Sequence, residues 1–154
     1  MTEAAISGAT HPILENDYAS EWMGIEVLAL TDGHATVRMT LRQEMLNGFG
    51  MAHGGMIFAF ADTAFALACN PVNPGPADEG TITVAAGVDI NFLKPAYRGQ
   101  VITAVADRRS SAGRSGLYDI QVFAADAAQH QPDAGQPGEL IAEFRGRSRT
   151  IPKK

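Results

Sequence analysis

The chain has 154 residues, 45% hydrophobic and 19% charged, which fits one soluble domain over 1–154 with a single substantial core. A net charge of −5 argues against nucleic acid as the main partner. The single cysteine, Cys69, excludes an intramolecular disulfide, and no apolar run is long enough to span a membrane. The first residues carry neither a basic start nor an apolar stretch, so the expected location is cytoplasmic.

Residues 1–10 are expected to be a flexible tail. His11 to Met23 is predicted as a short amphipathic helix stopped by Gly24. Ile25 to Leu30 is a predicted strand, and Asp32-Gly33 is a strong hairpin signal. From Ala35 to Leu41 apolar and polar residues alternate, as on a half-buried strand. Residues 42–54 form a Gly-rich loop, and a helix from about Gly55 to Cys69 follows it. Pro71 to Pro76 ends that helix and opens a loop to Gly80. Thr81 to Leu93, Gln100 to Arg108, Leu117 to Ala127 and Glu139 to Ile151 are predicted strands. Residues 110–116 turn the second into the third, 129–138 form a polar loop, and 152–154 are a second tail. A single apolar helix needs a sheet to cover it, so an antiparallel sheet curled around the helix is predicted, an α+β fold.

Charge is unevenly distributed. Residues 1–93 carry two basic and eleven acidic side chains, whereas residues 94–154 carry ten basic and six acidic ones. The positive end suits an anionic ligand such as a nucleotide phosphate. Arg145, Arg147 and Arg149, spaced by two, are better explained as the solvated face of a strand.

The chemistry is concentrated around Asp62. In the run Met56 to Cys69 every residue except Asp62 and Thr63 is apolar, so the helix is expected to be buried on every face. An unpaired carboxylate is costly there and marks a functional candidate. Ahead of the helix lies Asn47-Gly48-Phe49-Gly50-Met51-Ala52-His53-Gly54-Gly55. Glycines leading into a helix N-terminus let a ligand approach free N–H groups, which describes an oxyanion hole with the Gly55 N–H as donor. A flexible loop with a helix cap explains the same glycines. His53 reads equally as structural or catalytic.

Gly55 and Asp62 are seven residues apart, which places them on nearly one helix face about 10 Å apart along the axis. Two groups acting on one carbon must each come within about 3–3.5 Å of it. The spacing therefore predicts a homodimer in which each site takes Asp62 and Gly55 from different copies. No Gly-x-Ser-x-Gly segment or dinucleotide fingerprint is present, and His11, His34, His53 and His130 lack metal-ligand spacing, so no metal site is expected. Cys69 reads as a small core residue. Phe49, Phe58, Phe60 and Phe65 suit either an aromatic pocket or core packing.

Met45-Leu46-Asn47-Gly48, His53-Gly54-Gly55, Ala61 to Ala66 and Ala68-Cys69-Asn70 resemble the hotdog-fold acyl-CoA thioesterases of the phenylacetate degradation (PaaI) type. Glu15-Asn16-Asp17, Asn91 to Pro95, Tyr118-Asp119-Ile120 and Phe144 to Ser148 extend the resemblance over nearly the whole chain. It implies a hotdog fold, a five-stranded antiparallel sheet around one long helix, and homodimers that pair into tetramers. It implies hydrolysis of aryl-acetyl-CoA thioesters without a cofactor, coenzyme A being part of the substrate. By position, Asp62 would attack the thioester or activate water, and Gly55 N–H would polarise the carbonyl. Asn47 would orient water or substrate, and His53 would support the loop. The stretch Val84 to Gly87 lacks the hydroxyl that some relatives use to hold water, and Thr63 is the substitute. Gly54, Lys94, Arg98 and Arg109 are further substrate-binding candidates, with Arg108 and Arg114 near them in sequence. A non-catalytic acyl-CoA binder and a hotdog enoyl-CoA hydratase or dehydratase are the alternatives. The former has no use for a buried carboxylate, and the latter's Gly-Asp-x-Asn-Pro-x-His segment is missing.

Overall fold

A computed structural model describes residues 7–127 and 137–154. It has two α-helices, α1 (Tyr18–Met23) and α2 (Gly54–Cys69). The strands are β1 (Ser7–Gly8), β2 (Glu26–Thr31), β3 (His34–Thr40), β4 (Thr81–Phe92), β5 (Val101–Ala112), β6 (Ser115–Ala125) and β7 (Glu139–Pro152). They form one sheet in the order β1-β2-β3-β5-β6-β7-β4. From β2 to β4 every neighbouring pair is antiparallel. The sheet curls around α2, which touches each strand from β2 to β7.

The alternating pattern of the strands dictates this wrapping. On β6, Gly116, Tyr118, Ile120, Val122 and Ala124 point inward and are buried, while the residues between them are half-exposed. On β3, Ala35, Val37 and Met39 do the same. From α2 they meet Ile57, Phe60, Ala61, Ala64, Phe65, Leu67 and Ala68. Phe65 is the hub, with its ring 5.5 Å from Tyr118 and 5.9 Å from Phe144. Phe58 lies 5.4 Å from Phe144. Phe58, Phe60 and Phe65 therefore serve the core, and Phe49 alone of the four phenylalanines is fully exposed, at 86%.

Several expectations are corrected. The sheet has six antiparallel strands among the described residues, matching the six segments read from the sequence and one more than the five that the resemblance implies, with the Ile25–Leu30 segment present as β2 alongside β3. Part of the presumed N-terminal tail is structured: Ser7 and Gly8 pair in parallel with Glu26 and Val27 of β2. Residues 1–6 and the loop expected over 129–138 lie mostly outside the described residues. The first helix is split. A 3-10 turn at Pro12–Leu14 ends before Asn16, whose φ of 66° breaks the helical path. Asp17 then caps α1 by accepting from Ser20 N at 3.1 Å, and Gly24 closes it with φ 73°. The β5–β6 hairpin is tighter than residues 110–116, because Gly113 takes φ 60° and lets two residues make the turn.

Helix α2 is not buried all round. Gly55 is exposed, and Ala59, Asp62, Ala66 and Cys69 continue its stripe along the helix, covered only in part by the sheet of the same chain. At the far edge, β4 is largely exposed, and Ile82, Phe92 and Leu93 on it or just beyond it are 39%, 53% and 51% accessible. No helix among the described residues is long and apolar enough to cross a membrane.

Candidate active site

The loop before α2 is folded by Asn47. Its Oδ1 accepts from Phe49 N at 2.9 Å and Met51 N at 3.2 Å, and its own N–H donates to Met51 O at 2.7 Å. This is a local turn built by a short amide side chain. The loop's return is pinned to the body: Ala52 N donates to Ala96 O at 2.8 Å and His53 N to Met45 O at 2.8 Å. The chain thus enters α2 in a defined direction.

His53 is the N-cap. Its Nδ1 accepts the Gly55 N–H at 3.0 Å, so the expected oxyanion donor is held by the neighbouring imidazole in this state. Because Nδ1 accepts, any proton on the neutral ring sits on Nε2. His53 is exposed, so its ring can yield the N–H to a ligand oxygen.

Beside the loop opens an apolar cleft of about 320 Å³, lined by Met51, Ala52, Gly54, Ile57 and Phe92 to Pro95. A Cβ on Gly54 would stand 3.3 Å from the Phe92 ring, so the glycine lets that ring close over the start of α2. Sequence reasoning assigned Phe92, Leu93 and Pro95 no role. The available signal was an apolar pair followed by Lys-Pro at the end of a strand.

Asp62 lies two turns further along α2, half-buried, with no ion-pair partner among the described residues. Burial alone holds its carboxyl above the usual carboxylate range. Cys69, one more pair of turns along, is pushed up to about 12, chiefly by burial and further by the Asp62 charge. It is therefore an inert thiol and not a nucleophile.

Thr63 faces α1. Ser20 Oγ donates to Asp17 Oδ2 at 2.7 Å and stands 2.9 Å from Thr63 Oγ1, so the Thr63 hydroxyl donates to Ser20. Its proton is spent on holding the two helices together. Another polar residue without a predicted role, His11, is buried beneath the end of α2. Its Nδ1 accepts from Ile13 N, so Nε2 donates to Asn70 O at 3.0 Å.

The basic candidates separate. Lys94 lines the cleft and pairs with Glu139. Arg98 is exposed in the segment between β4 and β5, next to Tyr97, which bridges to Met51. Arg109 is elsewhere, on the outer face of the sheet, where it and Arg145 both bind Asp119 at 2.7 Å. Arg108 pairs with Asp32 at 3.0 Å, and Arg114 sits in the β5–β6 turn. The structure thus gathers Asn47, His53, Gly54, Gly55 and Lys94 at one end of α2. It keeps Asp62 and Thr63 on the same rigid helix, about 10 Å along the axis from Gly55.

A sequence model of the thioesterase superfamily matches residues 49–129. The chain is 36% identical to the acyl-coenzyme A thioesterase PaaI of Escherichia coli, over 92% of this chain and 88% of that one. It is 33% identical to a putative esterase of Archaeoglobus fulgidus, over 70% of this chain and 66% of the relative. The solved structure of the E. coli PaaI protein superposes with a TM-score of 0.75 at 36% identity, covering 91% of this chain and 88% of that one. A mutant of the phenylacetic acid degradation protein PaaI from Thermus thermophilus superposes at 0.71 with 30% identity, covering 86% and 98%. With the curled sheet, the Gly-rich entry to α2 and the carboxylate on that helix, these matches establish that the chain belongs to the thioesterase superfamily, as a hotdog-fold thioester hydrolase of the PaaI-like branch.

Proposed function

We propose that this thioester hydrolase acts on acyl-CoA, with aryl-acetyl-CoA as its substrate class, releasing the free acid and CoA. The observation that carries the reading is Asp62, an unpaired half-buried carboxylate on the helix whose N-terminus presents Gly55. The E. coli relative's name supplies the acyl-CoA class, and the Thermus relative's supplies phenylacetic acid degradation.

The chemistry needs a nucleophile and a place for the developing oxyanion, and a thiolate leaves with little acid assistance. Asp62 attacks the carbonyl carbon directly or takes a proton from an attacking water. The Gly55 N–H turns from His53 to the oxyanion. Asn47 uses its amide nitrogen, left over from the loop's own hydrogen bonds, to orient water or substrate. The apolar cleft beside Phe92 and Gly54 takes the uncharged part of the substrate, with Lys94 at its edge for a phosphate. No metal or further cofactor is required by these steps.

Asp62 and Gly55 of one chain cannot meet at one carbon, so the reading includes a homodimer with composite sites, and pairing of dimers into a tetramer. The partly covered stripe of α2 and the exposed apolar edge at β4 are the surfaces that support it. A cytoplasmic location goes with this reading. The test is a kcat/KM comparison of aryl-acetyl, benzoyl and straight-chain acyl-CoA esters on purified protein. The aryl-acetyl esters are expected to lead, and a straight-chain preference would overturn the assigned class.

A further inference from the structure

Away from the cleft, a second set of side chains has the order of a proton-transfer chain. His34 and Thr36 are two residues apart on β3 and share the outer face of the sheet. Asp107 on β5 is the direct cross-strand partner of His34. His34 Nδ1 lies 2.7 Å from Asp107 Oδ1, and His34 Nε2 lies 3.0 Å from Thr36 Oγ1.

The chemistry of the three groups sets the direction of both bonds. An ionised carboxylate only accepts, so Nδ1–H donates to Asp107. In the neutral ring Nε2 then carries the lone pair, and the Thr36 hydroxyl donates to it. Hydroxyl, imidazole and carboxylate in that sequence are the arrangement that activates an oxygen nucleophile. The His34 and Asp107 side chains are 30% and 43% exposed and Thr36 is partly exposed, so the trio faces solvent on the outer face of the sheet. Strand β3 lies between β2 and β5 and spends its backbone N–H groups on those ladders, leaving no oxyanion hole beside Thr36. The site therefore suits donors with a good leaving group, and it provides nothing to release the acyl group afterwards.

We propose that Thr36 is a self-acylation site for activated acyl esters and thioesters, separate from the hydrolytic site. Thr36 Oγ forms the bond to the acyl carbon and passes its proton to His34 Nε2. The bond to the leaving phenolate or thiolate breaks, and the imidazolium returns the proton to that leaving group. The product is an ester on Thr36 and a free phenol or thiol, with no change of oxidation state. His34 acts as the base, and Asp107 is a positioning residue.

The experiment treats full-length Asp62→Asn protein with p-nitrophenyl acetate, so that the hydrolytic site does not consume the reagent. Peptide mapping by mass spectrometry then locates the acetyl group. One acetyl per chain on Thr36 is expected, about a hundredfold slower with His34→Gln and absent from that position with Thr36→Val. Thr36→Ser retains labelling; Asp107→Asn slows it, and Asp107→Glu restores it. Acetylation confined to lysines, or equal Thr36 labelling with and without the His34 imidazole, would overturn the proposal. The primary readout is acetylation of the natural Thr36 with His34 and Asp107 in place, so a poorly folding variant at these positions does not shield the proposal.

Discussion

At the scale of single residues, Asp62 sets stability and activity against each other. Burial raises its folded pKa above the unfolded value, so the ionised form is the one the fold disfavours. Stability associated with the group is fully present below the unfolded value, about 3.9, and is lost as pH rises through the folded value. Asp62→Asn is neutral at every pH and escapes that loss. The variant is expected to melt at a higher temperature than the parent at pH 7, with the difference fading as the pH approaches 4. The same substitution removes nucleophile or base, so turnover should drop by at least about a hundredfold. Calorimetry across pH and a thioester assay check the two effects separately; a variant less stable than the parent at pH 7 would contradict the burial argument. Activity of the parent should also fall with acid along a limb whose midpoint lies above the usual carboxylate range, because Asp62 must be ionised to act. A midpoint at or below about 4 would count against Asp62 as the titrating group.

At the scale of elements, the contact between α2 and the sheet rests on close approach at Gly146. A Cβ there would stand 2.6 Å from Cε2 of Phe65. Gly146→Ala must therefore push α2 outward or force Phe65 off its rotamer, at a cost of about 1–3 kcal/mol. Urea denaturation measures that cost. Combining it with Phe65→Leu, which vacates the ring's space, should give a double variant more stable than the sum of the two losses by at least about 0.5 kcal/mol. Additive losses would mean that the two residues do not press on each other. The elements themselves were largely legible in the sequence. Alternation at Ala35 to Leu41 and the Ala-rich run after His53-Gly54-Gly55 mark β3 and α2 by their periods. The break at Asn16 was not legible, because Glu15-Asn16-Asp17 reads as helix unless Asp17 is known to cap. Nor was the partly covered stripe on α2. Its residues Gly55, Ala59, Ala66 and Cys69 are small and apolar, so hydropathy assigns them to a fully covered interior, whereas the sheet of their own chain covers them only in part or, at Gly55, leaves them exposed. Within the site, Asn47, His53 and Gly55 were legible as a group because they are close in sequence. The cleft wall at Phe92 to Pro95 arrives from the end of β4 and is found only through the fold.

At the scale of the whole molecule, the question is whether one chain makes a site. Gly55 and Asp62 lie on one unbroken helix, so about 10 Å of rigid backbone separates the oxyanion donor from the carboxylate. The surfaces that would bring in a second copy are the stripe on α2 around Asp62 and the edge strand β4 with Ile82 and Phe92 exposed. The composite arrangement makes a prediction that a self-contained site does not. Gly55→Pro removes the N–H in the first turn of α2, where a missing donor is tolerated by the helix, and is expected to abolish turnover, as is Asp62→Asn. If each site takes Gly55 from one chain and Asp62 from the other, a mixed dimer holds one intact site and one doubly defective site. Random reassortment of equal amounts puts about half the chains in mixed dimers, so activity should return to about a quarter of the parent level by a two-fold symmetric count. The measurement is thioester hydrolysis before and after the two inactive proteins are unfolded, mixed and refolded, with each protein refolded alone as the control. Recovery only in the mixture, rising and falling with the mixing ratio as the product of the two fractions, assigns the carboxylate and the oxyanion donor to different chains. No recovery from a mixture whose subunits demonstrably exchange would mean that one chain supplies both groups to its own site, and the composite arrangement would fall.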